Sequence, residues 1–71
     1  IGVEQDGTKA VEWYTKAADL GNASAMNNLG YMYQWADGVE QDNAKAIEWY
    51  TKAVDLGNTI AEANLKSLQG Q

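Results

Sequence analysis

Residues Gly2–Asn22 read GVEQDGTKAVEWYTKAADLGN, and Gly38–Asn58 read GVEQDNAKAIEWYTKAVDLGN. The second stretch says the first again, 36 residues later. Extended to Leu29 and Leu65, the two copies share 20 of 28 positions. A period in the thirties marks solenoids built of paired helices, in which each unit covers its apolar face only against a neighbour.

The repeated core has a helical period. At about 100° per residue, Ala10, Tyr14, Ala17 and Ala18 share one face, flanked by Val11, Trp13 and Leu20. The second copy repeats this with Ala46, Ile47, Trp49, Tyr50, Ala53, Val54 and Leu56. That apolar arc spans about half the circumference, wider than the ~100° stripe of a helix packed on one side. It predicts a helix packed on two sides, here called B-type. Asp6 and Asp42 are N-cap candidates, and Gly21 and Gly57 suit the left-handed position that ends a helix.

A second helix type, called A-type, is predicted over residues 23–35. Its buried side is Ala25, Met26, Leu29, Met32 and Tyr33, with Gly30 at the edge. Glycine inside a helix costs up to about 1 kcal/mol against alanine. Gly30 is therefore expected to mark a close approach, with alanines such as Ala17 or Ala53 opposite. Residues 36–41 read as a loop, and a last A-type helix is predicted over 59–69. The order is B-A-B-A, with no proline and no strand.

Composition excludes much. The chain of 71 residues has ten acids, five lysines, no arginine, no histidine and no cysteine. A net charge of −5 disfavours nucleic acid and anionic lipid, which are bound through clustered positive charge. No apolar run approaches the ~20 residues of a membrane span, and no stretch reads as a signal peptide. Ser24 and Ser67 have no histidine to activate them, neither begins S-x-x-K, and no K-T-G occurs. Asp37, Glu40 and Asp42 lack calcium-loop spacing. The reading assigns no catalytic, cofactor or metal residue, and compartment stays open.

The pattern residues resemble the Sel-1-like repeat, a branch of the tetratricopeptide-like helical repeats. Ala25, Leu29, Gly30 and Tyr33 match its first helix, and Gly38 and Val39 its loop. Asp42, Lys45, Ala46, Trp49, Tyr50, Lys52, Ala53 and Gly57 match its second helix. The first copy matches through Gly2, Val3, Asp6, Lys9, Ala10, Trp13, Tyr14, Lys16, Ala17, Ala18 and Gly21. Ala36 replaces a frequent loop glycine, Lys66 the glycine of the last helix, and Gln69 its tyrosine. The resemblance implies an all-α fold: a short right-handed α-solenoid of antiparallel helix pairs, about two repeats long. It divides the chain into a half-repeat (1–21), a full repeat (22–57) and a terminal helix (58–71), as a piece of a longer array.

The implied function is a scaffold or adaptor that binds a protein or peptide. In tetratricopeptide-like arrays the first helix of each pair lines the concave surface. Asn27, Asn28, Tyr31, Gln34 and Trp35 fall opposite the predicted core of the A-type helix, and Asn28 recurs one period later as Asn64. These six are the expected partner-binding set: amides for a peptide backbone, aromatic rings for contact area. The competing reading packs Trp35 under the neighbouring loop and leaves the asparagines merely polar. A structural module, stacking on further repeats or on other chains, is the alternative function. Weak self-association through exposed repeat ends is expected as well.

Overall fold

The computed structural model describes residues 5–70, with side chains from Thr8 onward. Four helices follow one another: α1 (Gln5–Asp19), α2 (Ala23–Trp35), α3 (Asn43–Asp55) and α4 (Thr59–Gln69). No strand occurs among the described residues. α2 packs most extensively on α3; α3 packs on α4, α1 packs on α2, and α2 touches α4 lightly. The fold is a small all-α repeat of paired helices.

The two B-to-A links are built alike. Gly21 and Gly57 sit at φ +93° and +91°, a conformation that glycine adopts without a Cβ penalty. The amides of Gly21 and Asn22 donate to the carbonyls of Ala18 and Ala17, and those of Gly57 and Asn58 to Val54 and Ala53. This pattern satisfies the carbonyls that a helix end leaves unpaired. Each asparagine then starts the next helix. Asn22 Oδ1 accepts from the Ala25 amide at 3.0 Å, and Asn58 Oδ1 from the Ala61 amide at 2.8 Å. One Gly-Asn dipeptide thus closes one helix and opens the next.

The link from α2 to α3 is built differently. Asp42 caps α3, its Oδ1 accepting from the Lys45 amide at 3.1 Å. Asp6 does not precede its helix, because α1 already begins at Gln5. The loop before α3 is fastened to α2: Gln41 Nε2 donates to the Gln34 carbonyl at 2.9 Å, and the Asp42 amide to Tyr33 at 3.0 Å. Among the described residues no such helix stands before α1, and the helix runs back through Asp6.

The core is rich in alanine: Ala18, Ala25, Ala46, Ala53 and Ala61 are buried with Met26, Leu29, Tyr50 and Leu68. Small side chains let helix axes come close. Trp13, Leu20 and Leu56, expected to flank the apolar arcs, are exposed instead. Leu20 and Leu56 directly follow the last residues of α1 and α3.

The close approach at Gly30 is made by a ring. A Cβ placed there would lie 2.5 Å from Cδ1 and Cε1 of Tyr50. The partner is therefore the Tyr50 phenol and not an alanine, as the helical wheel alone suggested. Tyr50 is fully buried, so its ring has no empty direction in which to retreat.

Candidate interaction face

α2 carries no charged residue. Positions 27, 31 and 35 are four apart and form one stripe along it. Tyr31 is 50% exposed and Trp35 58%, so Trp35 does not pack beneath the loop. Their ring centroids are 6.4 Å apart with planes tilted by 52°, within the range of attractive aromatic pairs. At the other end of the stripe, Asn64 Nδ2 on α4 donates to Asn27 Oδ1 at 2.9 Å. The stripe therefore begins where the two A-type helices meet. Asn28 is partly buried beside it.

Gln34 does not belong to this surface. It is 6% exposed, and its Oε1 accepts a hydrogen bond from the Tyr50 hydroxyl at 2.8 Å. The helical wheel placed Gln34 outward because it falls opposite the face of Ala25, Met26, Leu29, Met32 and Tyr33. Yet position 34 is one turn beyond Gly30, and the ring that enters the Gly30 gap ends at Gln34. The spacing Gly30-x-x-x-Gln34, with a tyrosine in the following helix, was the available signal. Burial, with a smaller contribution from the neighbouring Tyr31 phenol, pushes the Tyr50 hydroxyl up to about 12. Tyr50 thus stays a neutral donor throughout the ordinary pH range.

Other aromatic faces are occupied by lysine. Lys16 Nζ lies 5.3 Å from the Trp13 centroid, Lys52 4.9 Å from Trp49, and Lys45 5.5 Å from Tyr33. Among the described residues no lysine covers Tyr31 or Trp35 in this way. The described residues enclose no pocket and gather no group of three metal-ligating side chains. What the stripe offers is uncharged surface: two exposed rings and three partly buried amides.

A family model described as Sel1 repeat matches residues 1–22 and again residues 23–58. The chain belongs to the Sel1 repeat family. Comparison with curated proteins gives no match. Sel1 repeats generally mediate protein–protein interaction, and the family is a non-enzymatic helical-repeat scaffold. Part of the Sel1 pattern here is structural. Ala25, Leu29, Gly30, Ala46, Tyr50 and Ala53 are all buried between helices. The exposed aromatic pair, Tyr31 and Trp35, lies outside that buried set.

Proposed function

We propose that this Sel1 repeat segment is a non-enzymatic interaction module that holds a protein or peptide on its A-type face. Tyr31 and Trp35 form the contact platform, and Asn27, Asn28 and Asn64 lie beside it as amide partners for a peptide backbone. The observation that carries this reading is the paired exposure of two adjacent rings on a helix without charge. Large rigid rings give contact area at little entropic cost, and aromatic residues are enriched among binding hot spots. Gln34 supports the face from beneath through Tyr50 and makes no contact of its own with a partner.

The test is selection of peptides on the immobilised chain from a displayed library, followed by binding to Tyr31→Ala/Trp35→Ala. The double variant should lose at least about tenfold in affinity for the selected peptides, while its melting temperature stays nearly unchanged. Undiminished binding would place the partner elsewhere. A collapse in stability would show that the rings act in folding.

A further inference from the structure

The end of α2 differs from the other helix ends in charge. The last turns of α1, α3 and α4 carry Lys16, Lys52 and Lys66, whereas the last turn of α2 carries no basic residue. A helix C-terminus bears about half a negative charge, and a cation there is favourable. Trp35 is the last residue of α2, and the exposed acids Asp37 and Glu40 follow it in the loop. From residue 23 to residue 42 the sequence contains no lysine. The next one, Lys45, lies over Tyr33.

The rings at this end are open to a cation as well. Lys16, Lys45 and Lys52 each lie over an aromatic ring of the chain, but among the described residues none lies over Tyr31 or Trp35. An aromatic face attracts positive charge through its quadrupole. Two exposed rings, an unneutralised helix end and two carboxylates therefore favour the same kind of group. We propose that the Tyr31–Trp35 pair receives an arginine side chain from a basic segment of the partner protein. This rests on the A-type face being the partner face, and it adds the chemistry of the occupant.

Arginine fits better than lysine. Its guanidinium is planar, weakly hydrated and able to stack on a ring. The ring centroids are 6.4 Å apart with planes tilted by 52°, so a group stacked on one ring stays within reach of the other. The chain's net charge of −5 draws a positive segment toward it and repels an acidic one. The 71 residues contain no arginine, so a second copy of this chain does not supply the group.

The experiment titrates the isotope-labelled full chain with the capped peptide Gly-Ser-Leu-Arg-Leu-Ser-Gly. A second peptide carries citrulline, which has nearly the same shape without the charge, in place of arginine. Saturable shifts of the Trp35 indole and the Tyr31 ring are expected. The arginine peptide should bind at least about threefold more tightly than the citrulline peptide. That preference should shrink as salt rises from about 20 mM to about 500 mM. Asp37→Asn/Glu40→Gln, which keeps both rings, should reduce it, and Tyr31→Leu/Trp35→Leu should remove it. Equal binding of the two peptides at Tyr31 and Trp35 overturns this inference and leaves the proposed function standing. A preference that survives Tyr31→Leu/Trp35→Leu overturns it too, because the contact would then be purely ionic. Absence of any shift from the arginine peptide also overturns it; library-selected peptides without arginine that depend on both rings would still uphold the proposed function.

Discussion

The Tyr50 hydroxyl donates to Gln34 Oε1 at 2.8 Å, and both residues are buried. This bond joins α2 to α3, the most extensively packed pair of helices. Tyr50→Phe keeps the ring and removes the donor, leaving the Gln34 amide oxygen unsatisfied in the interior. Stability should fall by about 1–3 kcal/mol. Urea titration with tyrosine or tryptophan fluorescence measures it, and an unchanged midpoint would show that water reaches Gln34.

The same hydroxyl makes stability depend on alkaline pH. Its pKa is raised from 10.0 to about 12 in the folded chain. Between those values the unfolded chain loses the proton while the folded chain keeps it. The contribution is whole below pH ~10 and is lost as pH rises through the folded value. The wild-type chain should lose stability more steeply than Tyr50→Phe between pH ~10 and ~12. Parallel curves would mean that Tyr50 ionises as freely in the fold as outside it.

Gly30→Ala tests the close approach of α2 to the Tyr50 ring. Alanine is the better helix former by about 1 kcal/mol. Against that, its Cβ would meet ring carbons of a fully buried tyrosine at 2.5 Å. Overpacking should win, with a net loss of about 1–3 kcal/mol. A higher melting temperature would show that the ring yields and that propensity decides.

Ala36 ends α2 in the left-handed region, at φ 57° and ψ 40°. A residue with a Cβ pays roughly 1–2 kcal/mol for that conformation, and glycine does not. Ala36→Gly should therefore stabilise the chain, by up to about 1 kcal/mol once the greater freedom of glycine in the unfolded chain is subtracted. Thermal denaturation checks the sign; a lower midpoint would mean that unfolded-state entropy outweighs the relief.

Much of this protein was legible because its sequence repeats and its punctuation is local. The bounds of α2 and α4, the left-handed Gly21 and Gly57 and the Asp42 cap follow from rules that act over a few residues. The Sel1 pattern was readable for the same reason. The aromatic spacing put Tyr31 and Trp35 on one stripe, and the tertiary structure decided that both rings stay exposed. It also decided that Gln34 turns inward to Tyr50, that a ring fills the gap at Gly30, and that Asp6 falls inside its helix while Asp42 stands before one. It made Tyr14 and Tyr50, identical by sequence, unequal in burial. Each of these depends on which helix lies across the way. A helical wheel records direction around one axis, while burial is set by a neighbour that the residue's own stretch of sequence does not contain.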